Sequence, residues 1–201
     1  MELREALLQI AEIRQQMAKG DVFRGYRAAP VAFSGVVAVA AAIVQPVVVA
    51  DPAGQFALYL ALWIAAAAIS IAALAIEMTW RLNLVRELTH FVVARLAVEQ
   101  FLPSIMAGAL VTTVIARFLP EYVVLLPGLW QLFFGLGIFA SARLLPKLIF
   151  LIGAFYFVCG VVVLILADSG ASLSPWCMGV PFGLGQLMAG GILYWTLERR
   201  G

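Results

Sequence analysis

Charge is scarce in this sequence. Asp, Glu, Lys and Arg make up 12% of its 201 residues, about half the roughly 25% of a soluble globular domain. The net charge of +2 is too small to attract nucleic acid. Histidine occurs once, as His90, and cysteine twice, as Cys159 and Cys177. A single histidine excludes the histidine-cluster membrane desaturases and hydroxylases. Two cysteines within or at the ends of apolar stretches read as small core residues, not as a disulfide framework or a metal set. A Walker loop, a serine nucleophile elbow and a paired intramembrane aspartate are all missing. The expectation is a protein that is not an enzyme and carries no cofactor and no metal.

What the chain has in quantity is apolar surface: 64% hydrophobic residues and a mean hydropathy of +1.03. A hydrocarbon layer of roughly 30 Å needs about 20 apolar helical residues to cross it. Six stretches meet or approach that length, at about 28–50, 55–76, 98–117, 122–142, 148–167 and 176–197. Asp51-Pro52-Ala53-Gly54 separates the first two. The third is the shortest clean run, ending at Arg117, whose long side chain can snorkel to the interface. Of the 13 Lys and Arg residues, 12 fall on alternate joints: five in residues 4–27, Arg81, Arg86 and Arg95 after the second stretch, Arg143 and Lys147 after the fourth, and Arg199 and Arg200 in the tail. Because translocating Lys and Arg is unfavourable, the basic joints mark the cytoplasmic side. The pattern predicts an all-α polytopic membrane protein of six transmembrane helices. Both termini lie in the cytoplasm, and the location is the inner (plasma) membrane of a bacterium.

Two segments flank this domain of 21–201. In residues 1–20, Leu3, Leu7, Ile10, Ile13 and Met17 recur at steps of three and four, the spacing of an amphipathic helix. Such a helix lies along the cytoplasmic interface or docks a partner, and this run lacks the apolar stretch and small-residue end of a cleaved leader. Phe23, Arg24, Tyr26 and Arg27 then place rings and guanidinium groups at headgroup depth, as a lipid anchor would. Between Glu77 and Gln100, the stripe Trp80, Leu84, Leu88 and Phe91 predicts a cytoplasmic extension of the second span that turns back along the membrane surface. Glu87 and His90 have the Glu-x-x-His spacing of di-iron bundles, but that site needs a second copy and two further glutamates, which this chain does not supply.

Span centres carry no ionisable residue, which argues against a proton-coupled pump built within one chain. Uncharged polar groups remain, Gln45, Thr112, Gln131 and Gln186 among them. Gly128, Gln131 and Gly135 share one face of the fourth span, and Gly179, Gly183, Gln186 and Gly190 one face of the sixth. Glycine rows let helix backbones approach closely, and a Gln among them can bond to a neighbour. Two readings stay open for these faces: packing between helices, or a polar cavity or lipid-binding groove between spans four and six. Residues 128–135 and 183–190 match at five of eight positions, and Pro103 with Gly108 echoes Pro30 with Gly35. Both hint at three repeated helix hairpins.

Ile13-Arg14, Met17 and Phe23, the glycine-bearing first span, Leu126-Pro127-Gly128-Leu129-Trp130 and Phe182-Gly183 together resemble an uncharacterised family of bacterial six-span membrane proteins. The hairpin pattern is also similar to that of the acid-resistance membrane proteins related to HdeD. The resemblance implies the six-span topology and brings no catalytic or ligand-binding set. Two functions fit. One is a non-enzymatic membrane protein acting by association, an accessory subunit or an envelope or stress sensor, in contact with lipids and with further copies or a membrane or cytoplasmic partner. The other is an oligomeric transporter or channel module for a small neutral or lipid-like solute.

Overall fold

A computed structural model of the chain describes residues 28–84 and 88–199. The amphipathic segment of residues 1–20, the anchor Phe23, Arg24, Tyr26 and Arg27, and Glu87 lie outside the described residues, as does the His90 side chain. Among the described residues the fold is all-helical. The α-helices are α1 (Ala28–Val48), α2 (Phe56–Leu84), α3 (Leu88–Phe118), α4 (Leu126–Ser141), α5 (Ile149–Ile165) and α6 (Pro175–Leu193). Short 3₁₀ turns at Pro120–Leu125, Ala142–Leu144 and Ala171–Leu173 link them, and a π turn at Tyr194–Glu198 prolongs α6.

Prolines and glycines punctuate these helices where the chain must turn. Pro127 and Pro175 occupy the first turns of α4 and α6, where a missing N–H leaves no hydrogen bond unmade. Gly170 follows α5 with φ +72°, a left-handed backbone that glycine adopts without steric cost. The turn after α1 is closed by the Asp51 carboxylate, which accepts from the Ala53 N–H at 3.2 Å.

Among the described residues, five segments are long and apolar enough to cross a membrane: Ala28–Val48, Phe56–Glu77, Glu99–Phe118, Pro120–Ser141 and Pro175–Thr196. Helix α5, Ile149–Ile165, is apolar but shorter, at 17 residues. Within the segment 77–100 the expected extension of the second span is present. Helix α2 runs on to Leu84, but from Leu88 the chain already belongs to α3, one helix of 31 residues through Phe118. Pro103 lies inside α3 without ending it, so the apolar run and its polar approach form a single rod.

The helices lie side by side in the order α2, α1, α6, α5, α4, α3. Two seams dominate. In one, α1 runs antiparallel to α6: a Cβ placed on Gly35 would lie 2.9 Å from the Gly183 carbonyl oxygen, one on Gly190 would lie 3.1 Å from the Ala28 oxygen, and one on Gly179 would collide with Ala42. In the other, α4 runs antiparallel to α5: a Cβ on Gly128 would lie 2.8 Å from the Gly160 oxygen, and one on Gly135 3.0 Å from the Gly153 oxygen. Real side chains do not approach this closely, so glycine alone allows these backbone contacts.

The seams differ from the rest of the bundle in what a mutation does. Gly160→Ala would press a methyl group 2.9 Å from the Gly128 oxygen, which is backbone and cannot swing away. We expect a loss of about 1–3 kcal/mol, the usual cost of overpacking. Gly191→Ala, whose Cβ would meet nothing within 4 Å, is expected to be neutral; thermal unfolding of both variants in detergent measures the difference.

Candidate functional site

Three buried polar side chains, Gln45, Gln131 and Ser172, lie towards one end of the bundle. Gln45, near the end of α1, has 1% of its surface exposed. Its Oε1 accepts from the Trp63 indole of α2 at 3.0 Å, and its Nε2 donates to the Leu173 carbonyl at 2.9 Å. One amide thus ties α1 to α2 and to the turn before α6. The Ser172 hydroxyl, also fully buried, donates to the Val124 carbonyl at 2.7 Å, joining that turn to the 3₁₀ turn before α4. Gln131, fully buried in α4, donates from Nε2 to the Cys177 carbonyl at 2.8 Å. The Met178 sulfur stands 3.9 Å from the same nitrogen.

Two buried polar atoms stay without a hydrogen-bond partner here, Gln131 Oε1 and the Tyr59 hydroxyl. Both border the same cluster. Tyr59 packs with Trp63, Ala41, Leu173 and Met178, and Trp130, the neighbour of Gln131, lies against it. An unpaired buried polar atom costs on the order of 1–3 kcal/mol; Gln100 Oε1 in α3 is a third such atom among the described residues.

The opposite half of the interior is aromatic. The Phe134 ring centre lies 5.3 Å from Phe101, 4.8 Å from Tyr156 and 5.3 Å from Phe182, all in edge-on arrangements that ring quadrupoles favour. Tyr156 is fully buried, and its hydroxyl accepts from Gln186 Nε2 at 3.3 Å. Rings from α3, α4, α5 and α6 therefore fill the bundle axis in this half.

The residues predicted from sequence fall into two groups. Gly128 and Gly135 face α5, and Gly179, Gly183 and Gly190 face α1, so the two glycine rows do not face each other. Gln131 and Gln186, on the same faces, reach past the seams to α6 and α5 respectively. A groove between spans four and six has no such residues to line it, because Gln131 bridges that gap directly. Sequence reading singled out Gln45 and Thr112 only as uncharged polar groups and missed their partners. The Trp130 indole donates to Thr112 Oγ1 at 2.8 Å across α3 and α4, as Trp63 does to Gln45 across α1 and α2. Both pairs are separated by 18 residues.

Among the described residues, no three of His, Cys, Asp and Glu come close enough to hold a metal ion. Comparison with protein-family models, curated proteins and solved structures finds no match for this chain.

The amide network sets an order among substitutions. Gln45→Leu strands the Trp63 N–H and the Leu173 carbonyl together, and we expect it to cost about 1–3 kcal/mol. Gln186→Leu breaks a single long hydrogen bond on a half-buried face and is expected to cost about 0.6 kcal/mol, typical of interhelical bonds in membranes. Denaturant unfolding in mixed micelles ranks the two; an equal loss would contradict the assignment of Gln45 as the junction.

Proposed function

We propose that this chain is a six-crossing integral membrane protein that performs no chemistry of its own and acts by lateral association in the bilayer. Both termini and the basic joints lie on the cytoplasmic side of a bacterial inner membrane. Helix α5 is about 25 Å long at 1.5 Å per residue, slightly short of the hydrocarbon layer. Lys147 and Asp168 bracket it, and its antiparallel glycine seam with the longer α4 supports counting it as the sixth crossing. The charge asymmetry of the joints supports the orientation.

The observation that carries the association reading is an inequality between seams. Over its most apolar 18 residues, α2 is 17% buried and α3 22%, against 44% for the spans containing α4 and α6. Aligned on the tryptophan pairs, Ala61 and Ala68 of α2 stand where Gly128 and Gly135 stand in α4. In α4 that face is packed on α5; in α2, Ala61, Ala65, Ala68 and Ala72 are exposed, as are Ile64, Ile69 and Ile71. Gly108 of α3 meets only Phe133, at 3.6 Å from a Cβ placed there. The two hairpins' worth of small-residue surface that closes the other seams is thus left to a further transmembrane helix, from a second copy or from a partner subunit. The aromatic filling of the axis favours this role over conduction through a single chain.

A cysteine placed at Ala65, in a background lacking Cys159 and Cys177, tests the reading. In native membranes we expect oxidation to trap a covalent species containing either two copies or one copy and a partner. A chain that stays monomeric on detergent sizing, with no trapped species, would contradict it. One observation favours a second reading, a module for a small neutral solute: the unpartnered Gln131 Oε1 and Tyr59 hydroxyl border one cluster. Under that reading Gln131→Leu abolishes flux in a chain that still folds; under the association reading it loses the bond to the Cys177 carbonyl, costs about 1–3 kcal/mol of stability and leaves assembly unchanged.

A further inference from the structure

Helices α5 and α6 meet at Tyr156 and Gly185, where the tyrosine ring lies directly over the glycine, and they part towards the other end of the pair. The space between them is a groove of about 510 Å³, within the roughly 300–1,000 Å³ range of sites that hold small molecules. Its walls are Leu148, Leu151 and Phe155 on one side and Met188, Gly191 and Trp195 on the other. Leu148, Leu151 and Trp195 are each half exposed or more, so the groove opens sideways, towards lipid. Its floor is open at Gly191, where a side chain would meet nothing within 4 Å.

The groove is apolar, and a basic residue adjoins each of its walls. Lys147, exposed, immediately precedes Leu148 on one wall. On the other, the Arg199 guanidinium lies 4.1 Å from the centre of the Trp195 ring. That cation–π contact orders a charge at the groove's end. An apolar groove that opens sideways, with a basic residue beside each wall, matches a lipid with a negative headgroup. We propose that this groove binds one anionic phospholipid, its acyl chain between α5 and α6 and its phosphate between Lys147 and Arg199. The inference rests only on the chain lying in a bilayer; the face is distinct from α2 and α3, so failure of lateral association would leave it standing.

Native mass spectrometry of the full chain in detergent, titrated with phosphatidylglycerol and with phosphatidylcholine of the same acyl chains, tests the site. We expect phosphatidylglycerol to bind at least fivefold more tightly. Lys147→Ala and Arg199→Ala should each weaken it about fivefold, the worth of one basic residue near an anionic headgroup, while leaving phosphatidylcholine unchanged. Gly191→Phe should fill the groove and weaken both lipids, with circular dichroism confirming unchanged helicity. Equal binding of the two lipids, or phosphatidylglycerol binding untouched by Gly191→Phe, would overturn the proposal. So would displacement of the lipid by millimolar inorganic phosphate, or occupation of the groove by a second copy.

Discussion

Close approach of backbones at glycine holds this bundle together. Helices surrounded by lipid gain little from burying apolar side chains against one another, because the alternative neighbour is equally apolar. What remains is dispersion at short range, and that depends on how near two helix axes come. At Gly35 against Gly183 and at Gly160 against Gly128, no side chain stands between one backbone and the next helix's carbonyl. The same device appears twice, in antiparallel pairs distant in sequence, and it sets which helices are neighbours.

Hydrogen bonds then fix what the seams leave free. Glycine rows allow helices to slide and rotate, whereas a buried amide has one good position. Gln45 binds an indole on one side and a carbonyl on the other, which fixes the register of α1 against α2 and against the turn leading into α6. Gln131 does the same between α4 and α6. In the other half Gln186 binds Tyr156, and interlocking rings fill the interior. Polarity at one end and aromatic filling at the other divide the interior into two layers, and the unpaired Gln131 Oε1 and Tyr59 hydroxyl lie in the first of them.

Much of this was legible in the sequence, and the limits have physical causes. Apolar runs revealed the helices because period and length decide whether a segment can cross lipid, and the glycine faces were visible as steps of three and four. Their partners were not. A face shows that something small is wanted on the other side, but it does not say which helix supplies it, and α1 with Gly35 and α5 with Gly153 and Gly160 carry signals no stronger than their neighbours. In the 77–100 segment the extension of α2 was legible, whereas the start of α3 at Leu88 was not, because the charges of its first turns mask its continuity with the apolar run that follows. The junction at Gln45 was hidden because its partners are an indole 18 residues away and a backbone carbonyl 128 residues away. Backbone acceptors leave no trace in a sequence.

The account depends on the short helix α5 crossing the membrane, since its antiparallel seam with α4 and the order of all six helices follow from it. Labelling single cysteines with a membrane-impermeant maleimide, in intact cells of a strain lacking Cys159 and Cys177, tests this directly. A cysteine at Ser169 should react from outside and one at Lys147 only after permeabilisation. Both sites reacting from the same side of the membrane would contradict it.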